Sequence, residues 1–271
     1  MYKSQYIVIS VAIILIIGLA LLPRVVVDND KVLSEEKVSG EDHSGHDHEE
    51  GIPAEDYESI LPTIKAFHGS ESKADKEGLL DEIINEFKAI NRYDSAAVYA
   101  EYFAIEFPED NNFQKAGEIY FEAFTFAFDS EKKERLALKA RELFQRVLDN
   151  NPELLDLKTK IGLTYMSSES PMQGIMMIRE VLEQDPDNEL AISNMGFLAM
   201  QSGQYDKALA RFQKLIELNP QDMQARFYLG VCYKELGENE KAREVLNLVK
   251  SQESNPDVLS MVDKVLSELD Q

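Results

Sequence analysis

Residues 189–222 read ELAISNMGFLAMQSGQYDKALARFQKLIELNPQD, and residues 223–256 read MQARFYLGVCYKELGENEKAREVLNLVKSQESNP. Set beneath residues 155–188, both keep one register with a step of 34. Pro152, Pro186 and Pro220 fall in one column, Gly162, Gly196 and Gly230 in another, and Gly174, Ala208 and Ala242 in a third. The apolar columns Ile161/Met195/Leu229, Ile178/Phe212/Leu246 and Val181/Leu215/Val249 follow the same step, as does Tyr165/Ala199/Tyr233. A fixed period of this length marks stacked units that cannot bury their apolar faces alone, and each unit here reads as two helices and a turn.

Each column has a packing reason. A glycine in the first helix lets the second approach closely, and the small residue at 174, 208 and 242 does the same from the other side. Gly203 and Gly237 stand where a left-handed residue would end the first helices, and Asp-Pro or Asn-Pro ends the second. The first unit has Ser168-Glu169-Ser170-Pro171 at this turn, so Ser170 is expected to N-cap a helix with Pro171 at its first position.

These residues resemble tetratricopeptide repeats, whose pattern is a 34-residue helix-turn-helix. The best unit carries Leu229-Gly230, Tyr233, Gly237, Ala242 and Leu246; the next carries Met195-Gly196, Gly203, Tyr205, Ala208, Phe212 and Pro220. Ala199 departs from the aromatic of that column, and no unit has the family's tryptophan. Upstream, Tyr93, Ala96, Phe103 and Pro108 fit a second helix, and Ala116, Gly117 and Tyr120 fit a first helix in a hairpin longer than usual. The expected fold is all-α: hairpins at about 75–108, 109–152, 155–188, 189–222 and 223–256. A capping helix follows over 257–270, with Val258, Met261, Val262, Val265, Leu266 and Leu269 on its apolar stripe.

The resemblance implies a concave groove lined by first helices, which binds protein or peptide. Its positions carry over to Thr159, Leu163, Met166, Ser193, Phe197, Met200, Phe227, Val231 and Lys234. This lining is mostly apolar and lacks the Lys and Asn set with which family members grip a C-terminal carboxylate, so a hydrophobic or amphipathic segment is the expected ligand. Seven of the nine methionines fall between Met166 and Met223, and flexible thioethers suit a surface that accepts several apolar sequences. Met176, Met177 and Met195 read as fillers between helices, Met166 and Met200 as groove residues.

The N-terminus has a different character. Tyr6 through Leu22 is an apolar run broken only by Ser10 and Gly18, and Val25 to Val27 extend it if Arg24 snorkels. Residues 1–27 read as a single-pass membrane anchor; the rival is a cleaved signal peptide, with Gly18-Leu19-Ala20 as its small-x-small triplet. An inner-membrane protein of a bacterium with its large domain in the periplasm is expected, although Lys3 before the span and Arg24, Lys31 and Lys37 after it favour the opposite orientation. Residues 28–74 form an acidic linker, in which Asp28 to Asp56 holds eleven acidic residues and two lysines. A short helix is expected near 59–68, with Ile60, Ile64 and Phe67 on one stripe and His68 at its boundary. Within the linker His43, His46 and His48 alternate with carboxylates, a mixture that suits Zn, Ni or Cu; the other reading is an acidic spacer that happens to contain histidines.

Composition removes several classes. The 271 residues hold 28 Lys and Arg against 50 Asp and Glu, a net charge of −22, with one cysteine and no tryptophan. No internal disulfide can form, and so acidic a chain argues against nucleic acid as a partner. All four histidines lie at or before residue 68, so the repeats cannot build a His-dependent triad, and an enzyme is not expected. Cys232, next to a packing glycine, reads as a structural thiol. The expected function is a membrane-tethered scaffold or chaperone-like adaptor; a c-type cytochrome maturation factor, or a metal-responsive adaptor using the histidines, are the alternatives.

Overall fold

The computed structural model describes residues 54–270. Every described residue belongs to one compact unit, residues 47–271. The expected anchor over 1–27, the metal-ligand candidates His43, His46 and His48, and the linker up to residue 53 lie outside the described residues. Among the described residues no helix is long and apolar enough to cross a membrane.

The described residues form twelve helices and no strand. In chain order they are α1 (Ala54–Gly69), α2 (Lys73–Ala89), α3 (Tyr93–Glu106), α4 (Asp110–Phe126), α5 (Ser130–Asn150) and α6 (Leu155–Met166). There follow α7 (Pro171–Gln184), α8 (Glu189–Gln201), α9 (Tyr205–Leu218), α10 (Met223–Glu235), α11 (Asn239–Gln252) and α12 (Pro256–Leu269). Each helix packs on its chain neighbours, and α4, α6 and α10 also touch the helix two places on, so these even-numbered first helices abut one another.

Helix α1 differs from expectation. It starts earlier than residue 59, passes through Pro62, and belongs to the array instead of sitting in a linker, because Ile60, Ile64 and Phe67 are buried in the core with Leu80, Ile83 and Phe87 of α2. Pro62 removes one helical donor, a loss that burial of the stripe offsets.

The small-residue columns do what their chemistry requires. A Cβ at Gly117 would come within 2.7 Å of the Phe144 ring, one at Gly162 within 2.9 Å of the Gly174 carbonyl oxygen, one at Gly196 within 3.0 Å of Phe212, and one at Gly230 within 2.7 Å of Leu246. Each therefore faces the second helix of its own pair. Gly203 and Gly237 have φ of 70° and 77°. At these two turns the Gly N–H donates to the carbonyl three residues back (Met200, Lys234), and the next N–H to that five back (Ala199, Tyr233), closing a Schellman cap. Asn91, at φ 59°, closes the same motif between α2 and α3 through Lys88 and Phe87, so asparagine does there what glycine does later.

Between α6 and α7 the chemistry differs from the expected cap. Pro171 opens α7, but the Ser170 side chain makes no capping bond. Instead the Ser168 hydroxyl donates to the Tyr165 carbonyl at 2.7 Å and accepts from the Ser170 N–H at 3.1 Å. Downstream, Asn188 and Asp222, 34 residues apart, cap α8 and α10 by accepting from Ala191 and Ala225 N–H. The last hairpin is closed by α12, which buries Val262 and Leu269. Met261, expected on that stripe, is instead half open to solvent.

Candidate functional site

The first helices α2, α4 and α6 stand side by side, tied by ion pairs that cross from one to the next. Asp81 meets Lys115 at 2.5 Å, Lys88 meets Glu122 at 2.5 Å, and Glu118 meets Lys160 at 2.5 Å. This half of the first-helix wall is thus ionic. Pairs this exposed contribute little stability, about 0–1 kcal/mol each, but they hold neighbouring pairs in register.

In the C-terminal half, where the apolar lining was expected, the nine carried-over positions are partly withdrawn. Thr159 is fully buried and donates to the Leu155 carbonyl at 3.2 Å, and Phe227 is buried against the α11 core. These two are corrections: neither is available to a ligand. Leu163 and Met166 pack on Ile178, Val181 and Ala191; Phe197 and Met200 pack on Ile192 and Phe212; Val231 packs on Leu246 and Val262. All five are half-buried, as is Ser193. The Phe197 ring meets Tyr228 edge-on at 4.7 Å and lies 5.6 Å from Phe212. Lys234 is held by Glu268 at 2.5 Å and Glu235 at 3.3 Å, and the Glu268 hydrogen bond raises its pKa above the usual lysine value. The reason is geometric: the column glycine brings its helix so close to the second helix of the pair that side chains one turn away are enclosed between them.

The large apolar side chains that do face solvent lie elsewhere. Met172 and Met176 on α7 are 62% and 57% exposed, so Met176 is not the filler expected, whereas Met177 and Met195 do pack into the core. Phe126 and Phe128 project at the α4–α5 turn.

Two clefts open between successive second helices. One, of about 530 Å³, lies between α3 and α5 with Tyr120 of α4 in its lining. Its polar groups satisfy one another. The Tyr120 hydroxyl donates to Glu101 at 2.5 Å, Lys139 donates to Glu101 at 2.8 Å, and Asp94 takes Arg92 at 3.2 Å and Lys132 at 2.6 Å. Burial, and then Glu101, push the Tyr120 phenol above its ordinary pKa, so it stays protonated. Burial alone would raise the Asp94 carboxyl, but Lys132 and Arg92 together outweigh it and hold the group below its ordinary value. Such a network braces helices and leaves no group poised for proton transfer.

The second cleft, of about 550 Å³, lies between α7 and α9 over the C-terminal half of α8. Its floor is Met195, Leu198 and Ala199, and Arg179, Lys207 and Arg211 stand around it. Sequence reasoning missed this place. Its signal in the sequence is Ala199, a short side chain in a column that holds tyrosine in the flanking units.

Cys232 is buried, and burial followed by Glu235 pushes its thiol up to about 12, so it is inert at neutral pH. His68 lies among the Phe67, Tyr99 and Tyr102 rings, with centroids 5.3–6.2 Å away. Among the described residues no group of three or more His, Cys, Asp or Glu could hold a metal ion.

Residues 199–265 match the family model for the tetratricopeptide repeat. Anaphase-promoting complex subunit 3 of Dictyostelium discoideum is 29% identical over 108 residues, which is 39% of this chain, and the chain spans only 11% of that relative's length. Among solved structures, a thermophilic TPR protein of Thermus thermophilus is 18% identical, with 69% of this chain and 96% of that one covered at a TM-score of 0.49. YrrB, described as a TPR protein with an unusual peptide-binding site, is 18% identical, with 76% and 98% covered at a TM-score of 0.43.

Proposed function

We propose that this chain, which carries tetratricopeptide repeats, is a membrane-tethered scaffold whose helical array holds another polypeptide. The observation that carries this reading is the continuous wall of first helices, laced by cross-pair ion pairs at Lys115, Glu122 and Lys160, which gives an extended surface far larger than any single cleft. Its C-terminal half offers the half-buried edges of Leu163, Ser193, Met200 and Val231 beside an ionic N-terminal half, a pattern suited to an amphipathic segment.

In this reading residues 1–27 anchor the chain in a bacterial inner membrane, residues 28–53 serve as an acidic spacer, and the array works in the periplasm as a binding protein and not as a catalyst. The linker histidines His43, His46 and His48 are free to take Zn, Ni or Cu without any part in partner binding.

Replacing Phe197 and Met200 by aspartate would not test this cleanly, because both side chains help to build the core. A photo-crosslinking amino acid placed at Ser193, with exposed Glu217 on α9 as control, does. Polypeptide adducts are expected from the first site in native membranes and not from the second. Equal adducts from both, or none, would refute the scaffold reading. Alkaline extraction of membranes then tests the anchor: the full chain should stay in the pellet and a form without residues 1–27 should not.

A further inference from the structure

The cleft over α8 exists because one side chain is short. In the flanking repeats the same column holds tyrosine, and each ring is used. Tyr165 lies under the Arg141 guanidinium at 4.4 Å, while the Tyr233 hydroxyl accepts from Gln213 at 3.2 Å and its ring lies 5.3 Å from the Lys241 ammonium. At 199 the side chain stops at Cβ, and the space between α7 and α9 stays open.

The charge around it is inverted relative to the molecule. In a chain of net charge −22, this lining contains Arg179, Lys207 and Arg211 and no carboxylate. Most cations elsewhere in the array, Lys73, Lys115, Lys160 and Lys250 among them, are held by carboxylates at 2.5–2.6 Å, while Lys133 and Arg146 lie over aromatic rings. Among the described residues none of the three cleft cations has an ion pair, and Lys207 donates only to the Gln204 amide oxygen. Arg179 and Arg211 also border an adjoining recess, where Glu183 is the one acid. The repeat frame does not demand the two arginines: one unit further on, their places are taken by Gln213 and Val245. Met172, largely exposed, adds an apolar lip.

We infer that this cleft docks an acidic polypeptide segment of a partner. One bulky apolar side chain of that segment takes the place of the missing ring above Ala199, and its carboxylates pair with Arg179, Arg211 and Lys207. The inference rests on the scaffold reading and adds to it a second, chemically distinct contact away from the first-helix wall. Arginine suits the role because its fork meets a carboxylate through two hydrogen bonds.

The test is a selection from a random-peptide display library on the full chain, followed by anisotropy titration of the enriched peptides. Enriched sequences should be acidic with a central Phe, Tyr or Leu. Ala199→Tyr, which restores the ring that this array already accommodates at 165 and 233, should weaken them at least about tenfold. So should the double change Arg179→Glu and Arg211→Glu, while replacing the peptide's acids by their amides should have a similar effect. Circular dichroism confirms that the variants fold; should Ala199→Tyr not fold, the surface arginine pair still decides the matter. Enriched peptides that bind Ala199→Tyr and the arginine variant unchanged would overturn this site and leave the scaffold reading standing. A failure to enrich any peptide would overturn both.

Discussion

Gly174→Ala should destabilise the array, although alanine is the better helix former. A Cβ at 174 would overlap the Gly162 carbonyl oxygen, lie 3.2 Å from that carbonyl carbon and 2.9 Å from Met166 Cγ. Carbon and carbonyl oxygen sit no closer than roughly 3.3 Å even in favourable C–H···O contacts, so α6 and α7 must separate. The obstacle is backbone and cannot rotate away as a side-chain tip could. Separation loosens Ile178 and Val181, both fully enclosed in the native seam. Overpacking of this kind costs about 1–3 kcal/mol; an overlap with backbone belongs at the upper end, about 3, and the gain in helix propensity returns at most about 1, leaving a net loss of about 2 kcal/mol. Gly78 in α2 is the control: nothing lies within 4 Å of a Cβ there, so Gly78→Ala should be stabilising by up to about 1 kcal/mol. Urea unfolding followed by far-ultraviolet circular dichroism reads both, and hydrogen exchange should place the lost protection in α6 and α7, since repeat arrays open locally. If Gly174→Ala unfolds at the same or higher urea than the parent, the argument from close backbone approach is wrong.

Other consequences can be checked in the same way. Gly203→Ala forces a Cβ into a left-handed residue and should cost about 1–2 kcal/mol by urea melt, whereas Asn91→Gly relieves the same conformation and should raise stability slightly. Cys232 should resist a thiol reagent at neutral pH in the folded protein and react at once in urea. Because its folded pKa of about 12 lies above the unfolded value, its contribution to stability is present at neutral pH and fades as pH rises above about 9. Asp94 has the opposite sign. Its lowered pKa contributes stability above the ordinary carboxylate range, and that stability is lost as pH falls through it, so the parent should lose more melting temperature below about pH 4 than Asp94→Asn does.

What could be read from residues alone was the periodic part. Columns 34 apart, with small residues facing one another and prolines closing each unit, specify helix hairpins and their stacking order, because every hairpin must bury the same stripe against the same neighbour. The left-handed turns at Gly203 and Gly237 were legible for the same local reason. The tertiary structure decided what cannot be local. It drew Thr159 and Phe227 inward, because the close approach at Gly162 and Gly230 encloses the side chains one turn earlier on the same helix, and it took α1 into the core through Ile60, Ile64 and Phe67. It also brought Arg179 and Arg211, one from each of two helices, to the rim of the space above Ala199. Periodicity tells which faces are buried; the exposed side, and the charges that meet there, depend on how one pair leans on the next.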